Sequence, residues 1–132
     1  ALTINYISPF ILTREFLGSI TRNRGAVLFI NSTVALMPKE HVSAYAASKA
    51  ALKSFADVLY EEVSSLGVQV SSIYPGRVAT PMQKTVCDIE GSEYDPRKFI
   101  SPKTIAQQVI RILTLPENAE IRDLTIRQPR RK

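Results

Sequence analysis

The amino-acid sequence predicts an α/β protein in which helices cover both faces of a parallel sheet. Three observations lead to this class: helical and strand patterns alternate along the chain, the strand patterns are largely apolar, and 132 residues suffice for one domain. Unbroken apolar strands are typical of parallel sheets buried on both faces, and helices usually connect such strands. The predicted order is helix, strand, helix, strand, helix, strand, with no internal repeat or linker.

The first half of the chain predicts two helices and the strand between them. Residues 2–20 have a helical pattern. The apolar positions of that pattern are Leu12, Phe16 and Ile20. Residues 26–30 are an unbroken apolar run after a polar stop, as expected of a buried strand. The second helix extends over residues 43–66 and ends at Gly67, a residue that favours helix C-termini.

The second half predicts two strands and the helix between them. Residues 68–74 form a strand pattern that ends at the dipeptide Pro75-Gly76. Residues 81–100 are mixed in character and are predicted to be irregular. A helix over residues 101–115 follows, because a serine at the N-cap precedes a proline at the first helical position. Residues 120–127 alternate apolar and polar side chains and predict the last strand.

Composition excludes several classes of protein. The net charge of +5 combines 17 basic and 12 acidic residues, and four of the cations lie in residues 127–132. A basic tail over residues 128–132 suits phosphate contacts, but the rest of the chain has no basic stripe with interleaved aromatics, so we expect no nucleic-acid partner. No apolar segment approaches the roughly 18 residues that span a membrane, and no apolar leader opens the sequence, so we expect a cytoplasmic protein. The single cysteine, Cys87, excludes an internal disulfide and a cysteine-cluster metal site, and no metal is expected.

The second helix carries a tyrosine and a lysine on the face that it turns towards the sheet. Spacings of four and three residues place six side chains on this face: Tyr45, Lys49, Leu52, Ala56, Leu59 and Val63. An ammonium group near a phenol in a partly dry site stabilises the phenolate and favours acid–base chemistry. The alternative interpretation is an edge tyrosine beside a lysine whose stem covers apolar surface.

The loops that follow the first two strands carry further polar groups. Ser32 lies thirteen residues before Tyr45, at the carboxyl end of the first strand, where its hydroxyl would reach a substrate carbonyl. After the second strand, Pro75 and Gly76 allow the backbone to approach a flat ligand, and Thr80 offers a hydroxyl to a phosphate. Ordinary turns are the alternative interpretation of both loops. Ligands of open parallel sheets bind at the carboxyl ends of strands, so these groups are expected at one edge.

Three motifs, in their order and spacing, resemble the short-chain dehydrogenase/reductase family: Asn31-Ser32-Thr33, Tyr45-Ala46-Ala47-Ser48-Lys49-Ala50-Ala51 and Pro75-Gly76-Arg77-Val78-Ala79-Thr80-Pro81. The resemblance extends over essentially the whole chain, residues 1–132, and implies the C-terminal portion of a single NAD(P)-binding domain. The implied fold is three-layered, doubly wound and Rossmann-like, with only its second half present. The implied activity is hydride transfer between nicotinamide and a carbonyl or alcohol carbon of a small molecule, with NADP expected ahead of NAD.

The resemblance also implies roles for individual residues. Tyr45 would be the general acid/base, Lys49 would stabilise its phenolate, and both would contact the nicotinamide ribose. Ser32 would orient and polarise the substrate oxygen. The remaining cofactor contacts would come from Pro75, Gly76, Val78 and Thr80. Residues 82–100 resemble the family's substrate-covering loop, which varies with the substrate.

Asn5 corresponds to the family's fourth catalytic position. The residues themselves supply a physical reason, because Pro9 lacks the N–H that would bond to the Asn5 carbonyl in a regular helix. The freed carbonyl, at a kink, would hold a water that relays protons to Lys49. The alternative is that Asn5 is a buried polar group satisfied by a neighbour.

The family's first-half features are missing from this sequence. No glycines are spaced as G-x-x-x-G-x-G. The sequence also lacks the acidic or basic residue with which the family, after the second strand of its first half, selects between NAD and NADP. We therefore expect a fragment of a longer polypeptide that binds the adenosine end of a dinucleotide poorly. The alternative function is a catalytically inactive interaction module. In the family, helices corresponding to residues 2–20 and 43–66 pair across a two-fold axis, which implies a homo-oligomer, either a dimer or a tetramer.

Overall fold

The computed structural model describes residues 1–37 and 39–130 and contains a three-stranded parallel sheet. The strands lie in chain order: β1 is Ala26–Ile30, β2 is Gln69–Pro75 and β3 is Asp123–Ile126. Their register pairs Ala26 with Gln69 and Ser72 with Asp123. The predicted α/β class and parallel sheet are confirmed. The last two residues of the predicted basic tail, Arg131 and Lys132, lie outside the described residues.

Four α-helices precede and connect these strands. They are α1 (Ser8–Arg22), α2 (Ser43–Val63), α3 (Pro81–Glu90) and α4 (Pro102–Leu113). A π-helical turn, Thr3–Ile7, precedes α1, and short 3₁₀ turns occupy Thr33–Ala35, Ser64–Leu66 and Pro96–Lys98. Within the described part of the chain, no helix has the length and apolar character needed to cross a bilayer.

The helices pack on both faces of β2. Val70 points towards α2 and belongs to the main apolar core, which contains Phe29, Leu52, Ala56, Leu59, Val63, Val68 and Val70. On the other face Gln69 Nε2 donates to the Ile112 carbonyl of α4 at 3.2 Å. Successive side chains of a strand alternate between faces, so these contacts place α2 and α4 on opposite sides of the sheet.

The predicted stripe of α2 is confirmed from its second turn onward. Lys49, Leu52, Ala56, Leu59 and Val63 are all buried, and Tyr45 is half-buried at the start of the helix. The exposed face of α1 differs from the prediction. Leu12 and Phe16 are 58% and 60% exposed, whereas Leu17 and Ile20 pack against the core. Apolar periodicity identifies a face of a helix, and α1 has apolar side chains on more than one face.

The prediction that residues 81–100 are irregular is wrong, because α3 occupies the first half of that segment. Thr80 is its N-cap, with Oγ1 accepting a hydrogen bond from the Gln83 N–H at 3.1 Å, and Pro81 is the first helical residue. Gly91 ends the helix at a φ of 70°. The apolar pattern of α3 is weak because the helix buries only Gln83 and Cys87.

The π-helical turn before α1 lies where the sequence predicts disturbed helical bonding. The Ser8 N–H donates to the Thr3 carbonyl, five residues earlier, and Pro9 follows directly. A proline cannot donate to a carbonyl four residues back, so the regular bonding pattern changes at this point. Asn5 lies at the centre of the turn.

Candidate functional site

A cavity of about 600 Å³ opens at the carboxyl ends of β1 and β2. The predicted site residues that line it are Ser32, Tyr45, Lys49, Pro75, Gly76, Val78 and Thr80. They come from two strand ends and the first turns of α2, which parallel strands bring to one edge of the sheet. Asn5 is not among the lining residues.

Lys49 and Tyr45 bring an ammonium group and a phenol together in this cavity. Lys49 is 9% exposed, and its Nζ donates to the Ile30 carbonyl at 3.2 Å. The same Nζ lies 5.8 Å from the centre of the Tyr45 ring. Burial lowers the pKa of the Lys49 ammonium from its ordinary value of 10.5. A fixed cation is therefore held close to the only tyrosine that lines the cavity in the described part of the chain.

Ser32 serves as a turn residue and also lines the cavity. Its Oγ accepts a hydrogen bond from the Val34 N–H at 3.3 Å and caps the 3₁₀ turn after β1. This bond uses a lone pair of the hydroxyl and leaves its hydrogen available. Ser32 can therefore be a turn residue and also offer its hydroxyl hydrogen to a substrate carbonyl.

Asn31 joins the end of β1 to α2, and sequence reasoning assigned it no role. Its side chain is buried, with Nδ2 donating to the Lys49 carbonyl at 3.1 Å and Oδ1 accepting from the Ser32 N–H at 2.8 Å. The amide therefore holds the backbone of two site residues. The signal was an amide residue directly after a buried strand, but its contact with Lys49 joins residues 18 apart and depends on the fold.

Asn5 reaches the site through Ser48. Asn5 Nδ2 donates to Ser48 Oγ at 3.1 Å, and Ser48 Oγ donates to the Tyr45 carbonyl at 2.7 Å. Ser48 is fully buried, whereas Asn5 is half-buried. The side chain of Asn5 is thus satisfied by a neighbour, and it links the π-helical turn to the first turn of α2 behind the cavity.

The loop after β2 presents backbone and a capping hydroxyl to the cavity. The Gly76 N–H donates to the Ile126 carbonyl at 2.8 Å, which fixes the loop against β3. Thr80 Oγ1 caps α3 and donates to the Val78 carbonyl at 3.3 Å. The N-terminus of α3 therefore adjoins the cavity, and N-termini of helices favour anions.

The described lining of the cavity contains cations and no carboxylate. Lys39, Lys49 and Arg77 line it, and Arg77 Nη2 forms an ion pair with Glu90 Oε2 at 2.7 Å. One wall comes from α3, which contributes Met82, Gln83 and Val86. The resemblance implied a substrate-covering loop over residues 82–100, but sequence reasoning predicted no helix there, although Thr80-Pro81 repeats the capping pattern of Ser101-Pro102.

Comparison with family models and curated proteins gives matches over most of the chain. Residues 1–90 match the family model described as short chain dehydrogenase. An uncharacterized short-chain type dehydrogenase/reductase of Sinorhizobium fredii is 33% identical over 129 residues, covering 95% of this chain and 52% of that protein. Dehydrogenase/reductase SDR family member 7B of Danio rerio is 40% identical over 91 residues, covering 68% of this chain and 29% of that protein.

Solved structures with the same arrangement of elements cover nearly the whole chain. An alcohol dehydrogenase of the archaeon Thermococcus sibiricus, complexed with 5-hydroxy-NADP, has a TM-score of 0.83 at 21% identity and covers 99% of this chain and 54% of its own. A putative short-chain dehydrogenase/reductase of Corynebacterium glutamicum has a TM-score of 0.69 at 28% identity, with coverages of 98% and 54%. The chain spans about half the length of these structures and about half or less of the curated relatives.

Proposed function

The chain belongs to the short-chain dehydrogenase/reductase family. On this premise we propose that it forms the catalytic part of an NAD(P)-dependent oxidoreductase. The proposed reaction transfers a hydride between nicotinamide and a carbonyl or alcohol carbon of a small molecule. The observation that carries this proposal is the shared cavity of Tyr45, Lys49 and Ser32 at the carboxyl ends of the strands.

The lining residues fit an anionic dinucleotide. Lysine and arginine side chains and the N-terminus of α3 adjoin the cavity without a carboxylate among the described lining residues. Lys49 would hold the ribose, Pro75, Gly76 and Val78 would face the nicotinamide ring, and Thr80 with the start of α3 would receive phosphate. When bound, nicotinamide supplies or accepts the hydride.

We infer that NADP is preferred to NAD. The cations at the cavity suit either dinucleotide, because NADP differs from NAD by a phosphate on the adenosine ribose, so the preference rests on likeness to relatives. Among similar structures, the Thermococcus sibiricus alcohol dehydrogenase is complexed with 5-hydroxy-NADP, whereas a 4-hydroxyisoleucine dehydrogenase is complexed with NADH. The assay below therefore compares both cofactors.

The residues of this chain divide the acid–base work among three groups. In the direction of reduction, Tyr45 gives its phenolic proton to the substrate oxygen. The nearby Lys49 ammonium favours the phenolate that remains, because opposite charges attract strongly in a partly dry site. Ser32 uses its available hydroxyl hydrogen to orient the same oxygen. Ser48 and Asn5 hold the backbone of Tyr45 from behind.

A paired substitution tests this assignment. Tyr45→Phe removes the phenolic proton, and Tyr60→Phe makes the same change on α2 outside the cavity lining. In the complete polypeptide that contains this chain, with a panel of ketones and either NADPH or NADH, we expect Tyr45→Phe to lower the rate of cofactor oxidation by about 10²–10⁴-fold, as for loss of a general acid. Tyr60→Phe is expected to retain the rate. An unchanged rate in Tyr45→Phe would remove the proposed acid.

A second candidate function, an interaction module, is favoured by the outer face of α1. Leu12 and Phe16 are more than half exposed there, and large apolar side chains grouped on a surface often mark protein interfaces. Size-exclusion chromatography combined with fluorescence titration of NADPH distinguishes the two candidates. A dimer without cofactor binding would favour the module, and cofactor binding would favour the enzyme.

A further inference from the structure

Gln83 is a buried amide in the wall of the cavity, on the first turn of α3. It lines the cavity and is only 7% exposed. Its Nε2 donates to the thiol of Cys87 at 3.6 Å. Sulfur is a weak acceptor, so this contact satisfies the amide poorly while it holds the side chain in place. A poorly satisfied buried amide is unfavourable for folding.

The amide oxygen of Gln83 has no donor in the described part of the chain. Within residues 1–37 and 39–130, no group donates a hydrogen bond to Oε1. The only side-chain atom there that is both fully buried and unpartnered is Tyr74 Oη, so Oε1 keeps some solvent exposure. Gln83 lines the cavity. An acceptor without a donor therefore belongs to a residue of the cavity wall.

The cavity wall around α3 is mainly apolar and has one cation nearby. Met82 and Val86 contribute to it from α3, and Ile105 contributes from α4. The Arg77 side chain contacts the same Cys87 thiol at 3.9 Å and is paired with Glu90. The acid–base residues Tyr45 and Lys49 come from a different element, α2, so the cavity offers a ligand apolar surface and an amide acceptor on a separate wall.

We propose that Gln83 determines substrate specificity by accepting a hydrogen bond from a hydroxyl or N–H group of an otherwise apolar carbonyl compound. This rests on the proposed function for the identity of the reacting carbonyl. A site built around a buried polar group discriminates against analogues that lack the complementary group, because binding then leaves the polar group unpaired.

The test compares methyl alkyl ketones with their ω-hydroxy counterparts of matched chain length. Binding of each ketone to the full chain is measured by NMR titration, and the assigned side-chain amide resonance of Gln83 reports contact directly in the unaltered protein. Gln83→Met keeps the side-chain size and removes the acceptor. Gln107→Met makes the same change at an exposed position of α4 and is the matched control.

We expect the unaltered chain to bind one ω-hydroxy ketone roughly three- to tenfold more tightly than its parent, the effect of one neutral hydrogen bond. The Gln83 amide resonance should shift only with the hydroxy ketone. Gln83→Met should abolish the preference and Gln107→Met should retain it. Equal affinities in the unaltered chain, no binding of either ketone, or a preference that persists in Gln83→Met would overturn the proposal.

Reduction of the same ketones by NADPH separates this proposal from the proposed function. Reduction without preference for the hydroxy ketone overturns the role of Gln83 alone. A binding preference without reduction overturns the proposed function alone. If Gln83→Met weakens NADPH binding and leaves the ketone preference intact, the amide serves the cofactor and the proposal is wrong.

Discussion

Replacing Lys49 by methionine should leave the fold stable while it removes the charge from the cavity. Lys49 is buried, and burial lowers the pKa of its ammonium below 10.5, so the folded protein holds the charged form at some energetic disadvantage at neutral pH. Methionine retains the apolar stem that packs in α2 and removes that disadvantage. The lost contact is the hydrogen bond from Nζ to the Ile30 carbonyl at 3.2 Å.

The expected change in the free energy of unfolding is small because these two effects oppose each other. A hydrogen bond from a charged donor contributes about 2 kcal/mol, and Ile30 is 45% exposed and lines the cavity, so water can replace part of the lost donor. Relief of the buried charge acts in the opposite direction. We therefore expect Lys49→Met to change the free energy of unfolding by less than about 1 kcal/mol at neutral pH.

The pH dependence gives a second, signed expectation. The pKa of Lys49 is lowered only in the folded state. As the pH rises towards 10.5, the folded chain therefore loses this proton first, and the unfolded chain binds more protons than the folded one. The unaltered protein should then gain stability relative to Lys49→Met over that interval. The assay is urea denaturation at several pH values. Lys53→Met is the control, because it removes a half-buried ion pair with Asp57 on the same helix and should lose only about 0.5 kcal/mol.

Two outcomes would refute this reasoning. A loss of more than about 2 kcal/mol in Lys49→Met at neutral pH would mean that the charged side chain stabilises the fold. If the unaltered protein instead loses stability relative to Lys49→Met as the pH rises towards 10.5, the folded protein favours the ammonium, contrary to its burial.

Two further substitutions address groups buried in the sheet and at its edge. Tyr74 Oη is buried without a partner among the described residues, and burial raises the pKa of this phenol from 10.0 to about 12. Tyr74→Phe should therefore leave the free energy of unfolding unchanged or raise it by up to about 1 kcal/mol at neutral pH, and it should lose less stability than the unaltered protein between pH 10.0 and 12, where only the unfolded phenol ionises. A loss of more than about 1 kcal/mol at neutral pH by urea denaturation would contradict the absence of a partner. Asn31→Ala removes the hydrogen bond to the Lys49 carbonyl of α2 and the one accepted from the Ser32 N–H, so we expect a loss of about 2 kcal/mol in the same assay, and an unchanged midpoint would show that these bonds contribute nothing.

The elements that sequence predicted well are those whose signals are local and strong. β1 was predicted at its observed bounds because its five residues are apolar and bounded by polar segments. α2 was predicted because its stripe extends over many turns. α3 was missed because it buries an amide and a thiol instead of an aliphatic stripe. Its sequence therefore has a capping pattern but no apolar periodicity to indicate a helix.

The candidate site could be anticipated only as far as topology dictates. Strand ends of a parallel sheet share an edge, and this rule alone predicts that Ser32 and the residues around Gly76 lie near Tyr45, as the cavity lining shows. The hydrogen bond from Asn31 to the Lys49 carbonyl joins residues 18 apart, and the place of Gln83 in the cavity wall depends on how α3 packs. Sequence patterns carry no direct signal for such contacts.

Asn5 illustrates how a local rule and a tertiary contact combine at the site. Pro9 removes a backbone donor, and the preceding helix adopts a π turn centred on Asn5. The side chain of Asn5 then bonds to Ser48, which in turn bonds to the Tyr45 carbonyl. A regular helix would rotate Asn5 relative to α2, because a π turn inserts one residue into the helical repeat. The proline therefore acts on the position of the proposed acid through a chain of two hydrogen bonds.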